Sequence, residues 1–278
     1  MSTIAATHAE EAAAGRARGR VSQARVLRSE WTKLWSLRST RWSLLAAVIA
    51  MALLGMLIAA IQMGHWARID PHERATYSSI NTGVGGYHLA QLAIGVLGVL
   101  VITGEYATGM IRSSLMAVPR RLPVLWAKAV AFGAVTFVLM LASAFISFFG
   151  VQAIVKQHHV QSTLGSPHAL RAVIGVALFL TVLGVMCVGI GGFVRNTAGG
   201  IATFVCLLFV LPGIVAILPS SISDSVNPYL PLNAGTAVAT DRFDNAHHLA
   251  PWGGFALFCG YAALALALAA ISLKRRDA

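Results

Sequence analysis

Charge is what this chain mostly lacks between residues 44 and 273. Of six long apolar stretches, those at residues 44–62, 83–103, 172–194, 198–218 and 252–273 contain no lysine, arginine, aspartate or glutamate, and the stretch at 124–155 has only Lys128, near its start. Roughly 20 apolar residues, rising about 1.5 Å each in a helix, cross a hydrocarbon core of roughly 30 Å. The runs are continuous, without the strict polar and apolar alternation of barrel strands, so they predict helices. With no ionisable group near the middle of a span, a proton-coupled pump and an intramembrane enzyme are both disfavoured. The chain contains no Gly-Lys pair and therefore no phosphate-binding loop of the Gly-x-x-x-x-Gly-Lys-Ser/Thr kind. Any work driven by ATP needs a separate subunit to bind it. The three cysteines, Cys187, Cys206 and Cys259, all fall inside predicted spans and show neither a disulfide framework nor metal spacing. They read as small apolar filler.

The basic residues that are present cluster at alternate ends of the spans. With the N-terminus inside, sixteen lysines and arginines fall in cytoplasmic segments, and only Arg68, Arg74, Lys156, Arg171 and Arg242 fall outside. That bias predicts both termini cytoplasmic. Outer acids Asp70, Glu73, Asp224, Asp241 and Asp244 offset those five bases, which leaves the formal charge of +11 on the inner face. The basic residues ring membrane ends and no nucleic-acid motif accompanies them, so anionic lipid headgroups are the expected partner and nucleic acid is not. Residues 1–21 read as a disordered cytoplasmic tail, with no signal peptide and a retained first span. Residues 22–43 read as an amphipathic helix lying on the inner surface, anchored by Trp31, Lys33, Trp35 and Trp42; an ordinary solvated helix is the alternative. Eight histidines lie on or near the outer side, and solvated or interfacial histidine is the default over a metal or pH-sensing site.

Within the spans, Gln91, Thr136, Ser143, Ser147, Thr181 and Thr203 are expected to tie helices together. Gly95, Gly98, Gly189, Gly191 and Gly192, and the Ala-Leu alternation at 263–269, supply small residues for close helix contact. Pro212 predicts a kink in the fifth span. The cytoplasmic segment 105–118 carries the strongest functional signal. Residues 108–117 predict a helix of about two to three turns whose Met110, Ile111, Leu115 and Met116 expose more apolar surface than a solvated loop needs, as a plug for a partner's groove would.

Several motifs resemble one family. Ser29-Glu30-Trp31-Thr32-Lys33-Leu34 precedes the first span, Gly104-Glu105-Tyr106-Ala107-Thr108-Gly109 with Arg112 and Leu115 follows the second, and Pro119-Arg120-Arg121 leads to Lys128. Arg195-Asn196-Thr197-Ala198-Gly199-Gly200 joins spans four and five, and Tyr229-Leu230-Pro231 precedes span six. In this order among six spans they are similar to the permease subunits of ABC-2 type exporters, particularly actinobacterial ones, over residues 22–276. The Pro119-Arg120-Arg121 order departs from the commoner proline, any residue, small residue, arginine pattern.

The resemblance implies an all-α polytopic membrane protein: a connecting helix at 22–43, then a six-helix transmembrane domain at 44–276 with a coupling helix at about 105–118. It implies a non-enzymatic permease that pairs with a second permease copy, identical or different, and with two ATPase subunits that hold ATP and Mg, in a bacterial cytoplasmic membrane. Glu105, Gly109, Met110, Ile111, Arg112 and Leu115 then correspond to the ATPase-coupling surface, with Glu105 and Arg112 as its polar anchors. Spans two and five correspond to the dimer interface. Phe204, Phe209 and Pro212 fall on the implied substrate path, with lipid-facing or core packing as the other reading. The apolar path favours hydrophobic or amphipathic cargo such as an antibiotic, lipid or peptide. A non-transporting membrane sensor or scaffold, and a channel, are the rival functions, and contact with an ATPase separates them from the first.

Overall fold

A computed structural model describes residues 23–111, 122–241 and 249–275. Among them there are helices and no strands, and six helices are long and apolar enough to cross a membrane: Arg38–Gly64, Ser79–Ala107, Leu122–His158, Ala169–Val194, Thr197–Ala216 and Pro251–Arg275. The fourth span is the hub. Seventy-two per cent of its apolar window is buried, and it packs on the second, third and sixth spans, while the first span packs on the second and third. The predicted small residues make these approaches possible. A Cβ on Gly98 would stand 2.6 Å from the Gly184 carbonyl oxygen, and one on Gly189 would stand 2.7 Å from the Leu266 nitrogen, so spans two and six each meet the fourth nearly backbone to backbone. Ala265 and Ala269, from the Ala-Leu run, face Gly189 and Gly192.

Three local expectations change and one holds. The amphipathic helix ends earlier than residue 43. It spans Gln23–Ser36, Leu37 adopts an extended conformation (φ −82°, ψ 117°), and the first span begins at Arg38. Secondly, the glycine-rich Gly83–Gly86 stretch belongs to the second span, as the apolar run at 83–103 predicts. Ser78 caps a short helix, Ser79–Val84, by accepting from the Asn81 N–H (3.1 Å), and Gly85 and Gly86 hold right-handed helical angles that carry it into Tyr87–Ala107. Thirdly, Pro212 acts one turn upstream. Proline has no N–H to offer Leu208, and the helix widens into a π turn at Cys206–Val210, where the Leu211 N–H bonds the Cys206 carbonyl. Finally, the polar residues mostly serve their own helices. The hydroxyls of Ser143, Thr181 and Thr203 donate to the Leu139, Ala177 and Gly199 carbonyls, and the Gln91 amide donates to that of His88. A hydroxyl bond between spans does join Thr197 to Thr103 (3.0 Å).

The connection between spans five and six does not stay wholly outside the helix bundle. After Ser220–Val226 it folds back through Pro231–Thr236, where Leu230 and Ala234 are buried and Gly235 lies between Phe179 of the fourth span and Phe258 of the sixth. The Tyr261 hydroxyl donates to the Tyr229 carbonyl (2.8 Å). Tyr261 lies about 15 Å along the sixth helix from Pro251, so this irregular backbone reaches well into the bundle, at a depth tolerable only where protein covers it. Polar contacts knit the loops at that end. Ser78 donates to Asp241, the Asp241 N–H donates to Asn81 (3.2 Å), and Arg171 donates to the Thr240 carbonyl (2.8 Å).

Candidate functional site

The connecting helix carries an anomaly on its buried face. Val26, Glu30 and Leu34 recur every four residues and are all buried, so an acid occupies the middle of an apolar stripe. A lone charge there is strongly unfavourable, and it needs a partner. Lys128 supplies one. Its ammonium, on the second turn of the third span, bonds Glu30 Oε2 at 2.6 Å and Glu105 Oε1 at 2.9 Å. Lys33 closes the set, with its Nζ 2.7 Å from Glu30 Oε1 and 2.9 Å from Glu105 Oε1. Two lysines and two glutamates therefore join the connecting helix, the end of the second span and the start of the third. The side chains of Lys128, Glu30 and Glu105 are exposed by 4%, 4% and 8%, and that of Lys33 by 26%. Partial burial works against the Lys33 charge, but its bonds to Glu30 and Glu105 outweigh that and hold its pKa above the ordinary lysine value.

A second clasp lies beside the first. Arg195, in a left-handed conformation (φ 59°) after the fourth span, donates to the Ser272 carbonyl (2.7 Å) and stacks over Tyr106 at 5.3 Å. Asn196 then starts the fifth span by accepting from the Gly199 N–H (2.9 Å). The loop between spans four and five is thereby fixed to spans two and six, next to Glu105 in sequence.

The sequence-predicted residues fall into place unevenly. Glu105, expected to anchor a partner, points into the ion cluster. Thr108 and Gly109 end the second span, with the Thr108 N–H bonded to the Gly104 carbonyl and Gly109 at φ 71°, so the helix does not run on from Glu105. Gly109 fits because glycine alone adopts that angle without strain. Met110 is 48% exposed, whereas Ile111 is 4% exposed and buried in this chain, not displayed to a partner. Arg112, Leu115 and the remainder of the predicted coupling helix lie outside the described residues. Trp31, Trp35 and Trp42 are exposed, with the first two rings 6.2 Å apart, while Lys33 turns inward instead of anchoring at headgroups. Phe204 is fully buried, with its ring against Gly95 of the second span and edge-on to Phe209 at 6.1 Å. It is a packing residue; Phe209 and Pro212 are half-buried.

Sequence reasoning missed the cluster and two clefts. One cleft, of about 270 Å³, adjoins Glu30, Lys33, Glu105 and Lys128 and opens between the first and second spans. The other, of about 550 Å³, is an apolar groove between spans four, five and six, lined by Phe193, Leu207, Leu211 and Leu264 and closed by Tyr229 and Pro231. Among the described residues no group of three histidine, cysteine, aspartate or glutamate side chains is arranged to hold a metal ion. Residues 26–213 match the family described as ABC-2 family transporter protein. No curated protein matches the chain.

Proposed function

The chain belongs to the ABC-2 family of transporter proteins and is a multi-pass transmembrane permease, a transport component and not itself an enzyme; from that premise we propose that it is the membrane half of an exporter driven by a separate ATPase. In this reading two ATPase subunits hold ATP and Mg on the cytoplasmic side of a bacterial plasma membrane. Two permease copies enclose the path, and a hydrophobic or amphipathic substrate leaves the cell. The basic, tryptophan-rich face of the connecting helix rests on anionic headgroups.

The observation that carries the reading is the buried ion cluster. A force applied to the cytoplasmic segment after Ala107 reaches Glu105 within one turn of helix, and Glu105 is bonded to Lys33 of the connecting helix and Lys128 of the third span. Three elements therefore move as one body when that segment is pushed. The apolar groove of about 550 Å³ between spans four, five and six supports cargo that prefers hydrocarbon.

The test uses Met110, since Ile111 is internal. Permease and a candidate ATP-binding-cassette partner are co-expressed, purified through a tag on the permease, and assayed for ATPase association and substrate efflux. Met110→Asp is expected to weaken association by roughly tenfold or more, as a charge desolvated against a partner costs a few kcal/mol, with membrane insertion unchanged. Stable wild-type permease that never associates with such an ATPase would turn the reading toward a sensor or scaffold.

A further inference from the structure

The sequence groups His88 with the histidines of the outer side, but the structure places it well inside the bundle. A Cβ on Gly86 would stand 2.1 Å from the carbonyl oxygen of Met51, the central residue of the 27-residue first span. His88 follows about 3 Å farther along the helix toward Ala107. Among the described aspartates, glutamates, lysines, arginines and histidines of the six spans, it alone lies more than two turns from both ends of its span. A side chain of this kind at such a depth is costly in lipid and is normally turned toward protein or a cavity. His88 is exposed. Its ring nitrogens have no hydrogen-bond or ion-pair partner among the described residues, and its ring lies 4.1 Å from that of Tyr87, which meets Phe179 edge-on at 5.8 Å.

The exposure has a structural cause. His88, Gly95 and Val99 share one face of the second span, at helical spacings of seven and four. The fifth span covers the last two, with the Phe204 ring against Gly95 and Gly200 against Val99. The π turn at Cys206–Val210 follows, and from there the fifth span packs on the connection to the sixth. The second span is thus open beyond Phe204, and His88 stands there beside Leu89 and Leu92, which are 48% and 38% exposed.

We propose that His88 receives the carboxyl group of an amphiphile whose alkyl chain lies along Leu89 and Leu92. A neutral imidazole has one acceptor and one donor nitrogen, and a carboxylic acid donates its O–H to the acceptor. Whether the proton stays on the acid or moves to the ring, the pair has no net charge, so nothing uncompensated is left at mid-depth. An ammonium group meets no carboxylate there, since among the described residues no aspartate or glutamate of the spans lies more than two turns from a span end. An alcohol makes only the weaker neutral hydrogen bond. That such an acid is cargo rests on the exporter reading; that it binds at His88 does not.

The test is equilibrium binding of radiolabelled dodecanoate to the full-length permease in nanodiscs of zwitterionic phospholipid, with empty nanodiscs correcting for partition and dodecanol and dodecylamine as competitors. Saturable binding is expected, with both competitors weaker by about tenfold or more. His88→Phe keeps an aromatic ring but neither nitrogen, and should weaken dodecanoate by about tenfold or more. The side chain is exposed, so thermal unfolding should stay unchanged; if it falls, Leu92→Trp, which keeps the imidazole and crowds the next turn, should lower binding and decides the matter. Equal binding of dodecanol, unsaturable dodecanoate binding, or wild-type affinity in His88→Phe would overturn the proposal. So would disulfide-linked dimers of His88→Cys, in a background lacking the native cysteines, found together with no saturable binding by the wild type; that pair of results assigns the imidazole to contact between permease copies. No ATPase is present in the assay, so such results leave the exporter reading standing, and failure to associate with an ATPase leaves the site standing.

Discussion

Lys128 is the residue on which the end of the bundle that carries the connecting helix turns. Its side chain is buried against Glu30 and Glu105, and removing one partner of such a group leaves the others buried and uncompensated, which costs about 3–5 kcal/mol. Lys128→Met is therefore expected to lower the unfolding midpoint in detergent markedly and to separate the connecting helix from the bundle, seen as new protease cleavage near Ser36. Lys33→Met should cost less, since Lys33 is partly exposed and Lys128 still reaches both carboxylates. Its contribution also has a direction in pH. The folded-state pKa lies above the ordinary value of 10.5, so the stabilisation is fully present below that value and is lost only as pH rises through the raised one. The stability gap between Lys33→Met and wild type should stay constant from neutral pH to about pH 10 and narrow above it. A gap that closes below pH 9 would count against the bonding described here.

At the scale of elements, close helix approach dominates. Gly98→Val would drive a side chain into the Gly184 carbonyl and the Cys187 side chain, and backbone cannot give way cheaply, so overpacking of about 1–3 kcal/mol or more is expected. Melting curves of the variant and of Gly104→Leu, where space is open, should separate clearly. The spans themselves were legible because each is an uncharged run of membrane length, and the close contacts were legible because glycine and alanine recur along them. The ion cluster was not. Its members lie up to 98 positions apart in the chain, and single-sequence periodicity carries no information on such pairing. Two signals nevertheless pointed to it: an acid, Glu30, on the apolar stripe of the connecting helix, and a base, Lys128, as the lone charge in a span. Ile111 was misplaced for a related reason, and Phe204 was left between the substrate path and packing, since an apolar residue reads the same whether it faces a partner, a cavity or its own core.

For the whole molecule, the fifth span is the least covered, with 22% of its apolar window buried, against 72% for the fourth. Val210 and Ile214 are about half exposed. If two permeases pair along this span, Ile214→Cys in a background lacking Cys187, Cys206 and Cys259 should form a disulfide-linked dimer in membranes, whereas Val138→Cys on the third span should not. The same background tests orientation. Cysteines at Asp70 and Lys156 should react with an impermeant thiol reagent on intact cells, and one at Arg276 should react only after lysis; labelling of the tail without lysis would reject cytoplasmic termini. The fold-back at Tyr229–Thr236 bears on biogenesis. Gly235 is clasped by Phe258 and Tyr229 is bonded by Tyr261, and both partners belong to the sixth span, which follows this segment in the chain. Until that helix is inserted, the segment lacks half its walls, although its own turns keep bonds such as that from the Ala234 N–H to the Leu230 carbonyl. Packing of the fold-back thus waits for the sixth span, which serves as its keystone.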